Sequence, residues 1–481
     1  MAARDFSQYF LYRWRYVIGY GTIALLLAGM LLFAGFNLPG GLSQSEIAAV
    51  VQSASLSWTD PGTLAISNLP YYGLQAGIFA LFGISTFAIK LPSIILAFFT
   101  AIGLILLLRR WFTPNIAVLA SLIAITTGQF LFISQSGTPS ILYVFWPVAL
   151  LLLGTQVTRA KRYRFLWKIL FAIAAALSLY TPLSIYPLIA IALATIFHPH
   201  LRAIVRRLKN IRLFAMCAIF LILIAPLVWF IIQNPQLGMT LAGIAQSNWP
   251  PAIGDNAMTL LQHYFYFWQP SSGTLMTPVF GLGSALLILL GVYRLILTRD
   301  TTRSYLIIFW LICLIPILLL NPEFTSVALV PSVLMLAAGL TSLIGYWYRL
   351  FPRNPYARIT GLVPIIVLVA ALITTGLARY IYGYHYSPEI APLFSRDLTL
   401  LPKDTHELVV TEKQRPFYEA VGQYRKDITV TTTPTARTVV MTRSAHYSGA
   451  PAEGYVVTDI ITNSHTNDSD RFYILSRTDE K

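Results

Sequence analysis

The chain has 481 residues, of which 56% are hydrophobic and only 11% are charged, and its formal net charge at pH 7 is +15. In an ordinary soluble domain about a quarter of the residues are charged, because a folded surface needs ionisable side chains to stay in solution. This composition excludes a soluble enzyme. The length allows a large membrane-embedded bundle and one small water-soluble domain.

The positive charges are gathered next to apolar runs. Before residue 360 all Lys and Arg residues except Lys90 form six short clusters, at 4–15, 109–110, 159–168, 202–212, 294–303 and 349–358. Cytoplasmic loops of membrane proteins show this bias, whereas a nucleic-acid surface shows a basic stripe on a soluble module. The pattern predicts a multipass protein of the plasma or inner membrane with a cytoplasmic N-terminus and no nucleic-acid partner.

Apolar runs long enough to cross a membrane recur along the chain, since a spanning helix needs about 20 apolar residues. Eleven spans are predicted, at 17–36, 88–108, 115–133, 138–158, 165–180, 182–197, 213–232, 279–298, 304–320, 324–346 and 360–381. The first is predicted to be a retained signal anchor. The stretch 71–86 is predicted to be interfacial or re-entrant, because a span there would move the later basic clusters to the other side.

The few acidic residues of the bundle give a second, independent indication. Under this topology Glu46, Asp60, Asp255 and Glu323 all fall on the outer side. The rule that sets orientation counts Lys and Arg and largely ignores acids. The distribution of these carboxylates therefore predicts a functional site on the outer face.

The composition changes near residue 384, where charged residues and short β-branched runs begin. Strands are predicted at 408–411, 428–433, 438–442, 455–462 and 472–476, with a helix at 416–424. This alternation is typical of a small α/β domain. The chain is therefore divided into a membrane domain, 1–383, and a soluble α/β domain, 384–481, which an odd number of spans places outside the cell.

Two outer segments, 37–87 and 233–278, are long enough to build a site. The second holds aromatic residues mixed with amides, and it includes His263, Tyr264 and Trp268. Aromatic faces stack on sugar rings, and amides and acids bond their hydroxyls, so this mixture suits a carbohydrate. An aromatic belt at the membrane interface is the structural alternative.

Four segments in the first half carry a family resemblance. They are Leu69-Pro70-Tyr71-Tyr72, Leu81-Phe82-Gly83, Lys90-Leu91-Pro92-Ser93 and Arg109-Arg110. In this order and spacing they resemble the polyprenol-phosphate-sugar-dependent glycosyltransferases of the protein O-mannosyltransferase and lipid A aminoarabinose transferase group. The turn 134–139 resembles the turn that follows in that family but lacks its arginines. The resemblance extends over about residues 15–230.

The resemblance implies a mainly α-helical GT-C membrane fold and a sugar transferase. Its substrates would be a polyprenyl-phosphate-linked sugar and an acceptor glycan, lipid or protein on the outer face. The family has an Asp-Glu pair in the first outer loop, where this chain has Ser45-Glu46. Glu46 is therefore carried over as a catalytic residue, while the first acid is missing. Asp60, from the same loop, is the other catalytic candidate.

The chemistry of sugar transfer explains the remaining candidates. The acceptor hydroxyl must lose a proton, which a carboxylate can take, and the departing lipid phosphate needs positive charge. Lys90 and Arg379 are the outer-side cations near the bundle, so they are the phosphate-binding candidates. Further substrate-binding candidates are Tyr71, Tyr72, His263 and Glu323.

Each candidate also has a purely structural explanation. Ser43 and Glu46 have the spacing of a helix capping box, and Asp60-Pro61-Gly62 has the composition of a turn. Lys90 and Arg379 could extend to the interface as snorkelling side chains. Tyr71 and Tyr72 could shape the re-entrant segment, and Asn321-Pro322-Glu323 could cap the helix that follows.

Two other functions stay open at this stage. The missing first acid favours a catalytically inactive relative that binds lipid-linked glycan or scaffolds envelope assembly. A transporter is disfavoured, because transporters place charges at mid-membrane and often have duplicated halves. No cofactor is assigned; a divalent cation stays an open alternative, although no His/Asp/Glu cluster has the spacing of a ligand set.

Overall fold

The structure is a computed structural model. It describes residues 41–478 except 58, 161, 207–209, 245–250, 266–277, 323, 351–354, 386–393, 395–397, 426–427, 449–453 and 463–470, and only scattered residues before 41.

Helices make up the part of the chain before residue 386. In chain order they are α1 Gln44–Ala54, α2 Leu69–Phe82, α3 Thr86–Trp111, α4 Pro114–Ile125, α5 Gly128–Gln135, α6 Leu142–Arg159, α7 Arg164–Ser178, α8 Ile185–Phe197, α9 Pro199–Arg206, α10 Asn210–Gln233, α11 Pro235–Ala242, α12 Ile253–Phe265, α13 Leu282–Leu297, α14 Thr302–Leu320, α15 Leu329–Leu350 and α16 Pro355–Tyr380. Short 3₁₀ turns lie at Pro61–Leu64, Pro139–Ile141 and Thr325–Ala328, and a π-turn at Ile381–His385.

Polar caps and prolines set the starts of these helices. The hydroxyls of Ser85 and Thr301 accept hydrogen bonds from the first turns of α3 and α14. Pro114 and Pro235 occupy the first positions of α4 and α11. A first-turn proline loses no helical hydrogen bond, because the N–H it lacks would have had no partner within the helix.

The membrane spans agree with the predicted fold class, but they differ from the eleven predicted spans in detail. Six helices in the described residues are long and apolar enough to cross a membrane, and two bent pairs, α4–α5 and α8–α9, would raise the number to eight. The chain is therefore a multipass membrane protein. The predicted span 17–36 lies almost wholly outside the described residues.

The differences have local causes. The predicted span 115–133 is broken between α4 and α5, which meet at 62°, and α8 and α9 meet at 91° next to Pro199. The α7 helix, in the predicted span 165–180, has 15 residues, and α13 has 16, so both are short for a span. The α2 helix has 14 residues, about 21 Å, and cannot cross a hydrocarbon core of about 30 Å.

The C-terminal part forms a five-stranded mixed sheet with the strand order β2-β1-β3-β5-β4. The strands are β1 Glu407–Val409, β2 Thr429–Thr431, β3 Thr438–Thr442, β4 Tyr455–Thr462 and β5 Arg471–Arg477, with α17 Arg415–Tyr424 and α18 Arg443–Tyr447 between them. The β1 strand pairs in parallel with β2 and β3, while β5 is antiparallel to β3 and β4. The predicted small sheet domain and its strands are confirmed.

The sheet domain packs onto one end of the helical bundle. Leu408, Val410 and Phe417 share one buried cluster with Ile47 of α1 and Ile89 of α3. The ring centroids of Phe79 in α2 and Tyr424 in α17 are 6.0 Å apart. The first loop, the start of α3 and the C-terminal domain therefore lie at the same end of the molecule.

Candidate functional site

Glu46 lies at the third position of α1 and its side chain is fully buried. Its Oε2 accepts hydrogen bonds from the Ser43 backbone N–H at 2.8 Å and from the Ser43 hydroxyl at 3.1 Å. The Ser43 hydroxyl in turn accepts from the Glu46 backbone N–H, so the predicted capping box is present. The other carboxylate oxygen of Glu46, Oε1, accepts a hydrogen bond from the Gly137 backbone N–H at 2.7 Å. Both carboxylate oxygens are therefore occupied by protein donors.

The contact with Gly137 joins the first loop to the turn after α5. A Cβ atom at Gly137 would lie 2.5 Å from Cγ2 of Ile89 and 3.4 Å from Cγ of Glu46. A β-branched side chain has little rotamer freedom to move away. Only glycine therefore lets the turn approach both α1 and α3 this closely.

Gln75 forms hydrogen bonds to the same three segments. Its Oε1 accepts from the Ser53 hydroxyl of α1, and its Nε2 donates to the carbonyls of Ile89 at 2.9 Å and Gly137 at 3.4 Å. Gln75 is fully buried. Gln75 is not among the candidates predicted from the sequence, although it is the one residue with a side-chain amide in the apolar run 69–82.

Tyr71 and Tyr72 lie on α2 beside this network. The hydroxyls of Tyr71 and Ser93 lie 2.8 Å apart, and the Ser93 hydroxyl also donates to the Thr138 carbonyl at 3.2 Å. Burial raises the pKa of Tyr71, and the nearby charge of Glu46 raises it further. Burial also raises the pKa of Tyr72. Both phenols are therefore neutral, and that of Tyr71 is hydrogen-bonded to Ser93.

Lys90 follows Ile89 in the first turns of α3, and its side chain is only 2% exposed. It makes no hydrogen bond and no ion pair with any residue that the structure describes. A lysine this deeply placed has little access to water, so an anionic partner would stabilise its ammonium group. Lys90 thus has unused capacity to bind an anion.

Asp60 lies in the same first loop but outside this network. It is exposed, and it caps the 3₁₀ turn Pro61–Leu64 by accepting at Oδ1 from the Gly62 N–H at 2.9 Å. Its Oδ2 accepts no hydrogen bond from the described residues. The turn chemistry predicted for this segment is present, and one carboxylate oxygen stays accessible.

His263 and Arg379 belong to a second group of contacts. The Arg379 guanidinium donates to the Pro278 carbonyl, and the next residue, Val279, donates its N–H to the His263 carbonyl at 2.8 Å. Burial lowers the pKa of His263, while a hydrogen bond to the Pro322 carbonyl acts in the opposite direction. Glu323 lies outside the described residues.

The two groups are linked through the turn after α5. The Tyr380 hydroxyl, next to Arg379 in sequence, donates to Oε1 of Gln135, which closely precedes Gly137. Tyr143 at the start of α6 packs edge-on against Phe324, with ring centroids 5.9 Å apart. The structure thus brings Glu46, Tyr71 and Lys90 into adjacent segments, and connects Arg379 to them through neighbouring residues rather than directly.

No group of three His, Cys, Asp or Glu side chains that could hold a metal ion occurs within the described ranges. The donors and acceptors of the first group are carboxylate, amide, hydroxyl and ammonium groups. They suit a polar ligand with an anionic group.

A family model and several solved structures resemble this chain. Residues 70–230, a third of the chain, match the family described as dolichyl-phosphate-mannose-protein mannosyltransferase. No curated protein sequence gives a significant match. Over 96% of this chain and 98% of the other, the fold matches apo ArnT from Cupriavidus metallidurans, with a TM-score of 0.57 and 12% identity.

Two further structures contain lipid phosphates. The structure of the same ArnT bound to undecaprenyl phosphate matches with a TM-score of 0.53, 12% identity and the same coverage. The archaeal oligosaccharyltransferase AglB from Archaeoglobus fulgidus, in complex with an inhibitory peptide and a dolichol-phosphate, matches with a TM-score of 0.51 and 14% identity, over 90% of this chain and 70% of that one.

The chain has the GT-C glycosyltransferase fold. The resemblance drawn from residues 69–110 is confirmed by the family match, and the mainly helical fold class by the two structural relatives. Family and GT-C fold together support a membrane glycosyltransferase.

Proposed function

We propose that this protein transfers a sugar from a polyprenyl-phosphate carrier to an acceptor at the outer face of the membrane. The observation that carries the proposal is the Lys90 side chain, which is only 2% exposed, has no hydrogen-bond or ion-pair partner among the described residues, and adjoins the Glu46 network of a GT-C fold. Two proteins of the same fold, ArnT and AglB, are seen with undecaprenyl phosphate and dolichol-phosphate.

In this proposal Lys90 binds the carrier phosphate. As the acceptor oxygen bonds to the anomeric carbon, the bond from that carbon to the phosphate oxygen breaks, and the phosphate leaves with the electron pair. The developing negative charge is stabilised by a preorganised cation in a site with little water. Arg379 is a second cation at the same end of the bundle, already held by the Pro278 carbonyl.

The two carboxylates have different parts in the proposal. Asp60 is exposed and has a free oxygen, so it is the better group to take the acceptor proton. Glu46 is buried with both oxygens occupied, and it positions the turn that contacts Lys90's neighbour Ile89. Tyr72 and His263 are proposed to contact the substrate, and the C-terminal domain to orient the acceptor.

The alternative function is an inactive relative that binds the carrier without transferring a sugar. It is favoured by one observation: both carboxylate oxygens of Glu46 accept hydrogen bonds from the protein, from Ser43 and Gly137. Both functions require carrier binding, and only the first requires transfer.

The first experiment measures binding of undecaprenyl phosphate to the purified full-length protein and to Lys90→Met. We expect Lys90→Met to bind at least about tenfold more weakly, because a charge-assisted contact to phosphate is lost. Its melting temperature should be equal to or higher than that of the wild type, since a buried unpaired charge is replaced by an apolar chain of similar length. Equal binding by both proteins would contradict the role of Lys90.

A matched control and an activity measurement complete the test. Lys403→Met removes an exposed lysine of the C-terminal domain and should leave carrier binding unchanged. With undecaprenyl-phosphate-linked mannose or aminoarabinose, Asp60→Asn should lower the rate of carrier release by about 10²-fold or more at unchanged carrier binding. Wild-type protein that binds the carrier but releases none from either donor would favour the inactive relative.

A further inference from the structure

A cavity lies at the end of the bundle opposite Glu46. It has a volume of about 510 Å³ and is formed by the C-terminal ends of α3, α6 and α8, by α9 and by the start of α14. From Ile89, beside Glu46, the α3 helix runs to Trp111 in the cavity wall, about 33 Å at the usual rise per residue. This is about the thickness of the hydrocarbon core, so the cavity faces the other membrane surface.

Cationic side chains line one part of this cavity. Arg159 and Arg303 lie in its wall together with His198 and His200. The charges of Arg159 and of the nearby Arg294 both repel that of Arg303. Like charges that repel one another are stabilised by a counter-ion.

No acidic side chain compensates these arginines in the part of the chain that the structure describes. The ion pairs found there involve only Arg415, in the C-terminal domain. Asp300, next to the cavity, contributes its backbone carbonyl to His198 at 3.2 Å, and its carboxylate forms no ion pair. The positive charge of the cavity is therefore left for a ligand.

The arginines are held in place but keep most of their donors. Arg303 donates from Nη1 to the Trp111 carbonyl at 2.7 Å, and its guanidinium lies 4.6 Å from the Phe112 ring centroid. Arg159 donates from Nη1 to the Arg110 carbonyl at 2.6 Å. A guanidinium has five N–H donors, and the remaining ones match the oxygens of a phosphate.

His198 adds a buried atom without a partner. Its Nε2 lies within hydrogen-bonding distance of the Asp300 carbonyl and the Thr302 hydroxyl, at 3.2 and 3.3 Å, whereas its buried Nδ1 has no hydrogen-bond partner. A buried polar atom without a partner is costly, so this is a second, independent sign of an unfilled polar requirement.

The rest of the wall is apolar. Leucine and isoleucine side chains of α6, α8, α9 and α14 line it, including Leu150, Ile191 and Leu306. The volume lies within the range of small-molecule sites. An arginine pair next to an apolar wall at the membrane surface fits a phosphate group that carries an acyl or glycerol portion.

We infer that this cavity binds the phosphate headgroup of an anionic lipid, at a site separate from the proposed sugar-transfer site. The two arginines bind the phosphate oxygens, and the leucine and isoleucine side chains contact the first part of the lipid tails. The same chemistry could accept free phosphate, so the experiment uses both sources.

The test is native mass spectrometry of the full-length protein with phosphatidylglycerol, with phosphatidylcholine, and with inorganic phosphate. Stronger binding of phosphatidylglycerol than of phosphatidylcholine would support a lipid headgroup as the ligand. Binding of inorganic phosphate, with no difference between the two lipids, would support free phosphate in the same site. In either case the single variant Arg159→Gln, and the double variant that combines it with Arg303→Gln, should bind the preferred ligand about tenfold more weakly than the wild type.

The control is Arg349→Gln, which removes an exposed arginine in the last turn of α15, at the same end of the bundle. It should bind like the wild type. Arg159 is exposed and bonds only one carbonyl, so its variant should fold even if loss of Arg303 lowers the melting temperature. Equal ligand binding by the wild type, Arg159→Gln and Arg349→Gln would overturn the proposal, as would binding of none of the three ligands.

Discussion

At the scale of single residues, the candidate site depends on which polar groups are already satisfied. Glu46 accepts three hydrogen bonds through its carboxylate, whereas Lys90 has no partner among the described residues, although both are buried. Buried polar groups are normally paired, so the unpaired one is the better indicator of a ligand. We therefore place the anion at Lys90 and treat Glu46 as the residue that positions the turn.

This difference leads to a stability prediction for Glu46→Gln. The amide can keep one acceptor oxygen, but its NH₂ group must face either Gly137 or Ser43, both of which donate. We expect a loss of about 1–3 kcal/mol in the free energy of unfolding, because a buried donor faces another donor. A thermal melt of the purified protein measures it.

Glu419→Gln is the matched control for this substitution. Glu419 forms a surface ion pair with Arg415 at 2.7 Å, and its side chain is about half exposed. Exposed ion pairs contribute about 1 kcal/mol or less. A melting temperature that falls equally in the two variants would show that Glu46 contributes no more than a surface charge.

At the scale of helices, two glycines explain how closely a pair of helices in the bundle packs. The α13 and α15 helices cross where a Cβ atom at Gly291 would lie 1.9 Å from the Met335 carbonyl oxygen, and one at Gly339 would lie 1.9 Å from the Leu287 carbonyl oxygen. Small residues let membrane helices approach until their backbones touch. This crossing could not be predicted from the apolar runs alone.

Gly339→Ala should therefore separate α13 from α15. The added methyl group meets backbone atoms, which cannot rotate away, so we expect a cost of about 1–3 kcal/mol, seen as a lower melting temperature.

Gly345→Ala in the same helix is the control, because a Cβ there meets nothing within 4 Å. Alanine favours a helix over glycine by about 1 kcal/mol, so this variant should be as stable as the wild type or more so. If the melting temperature of Gly339→Ala equalled or exceeded that of Gly345→Ala, the close packing of α13 against α15 would be contradicted.

At the scale of the whole molecule, the two ends of the bundle differ in chemistry. One end carries the sheet domain, Glu46 and Lys90, and the other carries the cavity with Arg159 and Arg303. From the positive-inside rule we propose that the second end faces the cytoplasm.

Cysteine labelling tests this orientation. In a protein without Cys217 and Cys313, single cysteines replace Asp459 in β4 or Arg299 before α14, both of which are exposed. We expect an impermeant maleimide to label Asp459→Cys in intact cells, and Arg299→Cys only after the membrane is permeabilised. Labelling of Arg299→Cys in intact cells would reverse the topology and remove the basis for an outer-face acceptor.

Local sequence patterns were sufficient to predict several features of the structure. The capping box at Ser43 and Glu46, the five C-terminal strands and the apolar character of the bundle are present as predicted. Each depends on residues close together in the chain, on a spacing of three or four positions in a helix or two in a strand.

The tertiary structure alone decided how these features meet. Gln75 bridges Ser53, Ile89 and Gly137, which lie in three segments far apart in the sequence. The cavity between Arg159 and Arg303 likewise joins residues more than a hundred positions apart. Composition and spacing determine whether a segment enters the membrane and where a helix begins. Which buried charge keeps a partner depends on contacts between distant segments, and the order of residues along the chain does not specify these contacts.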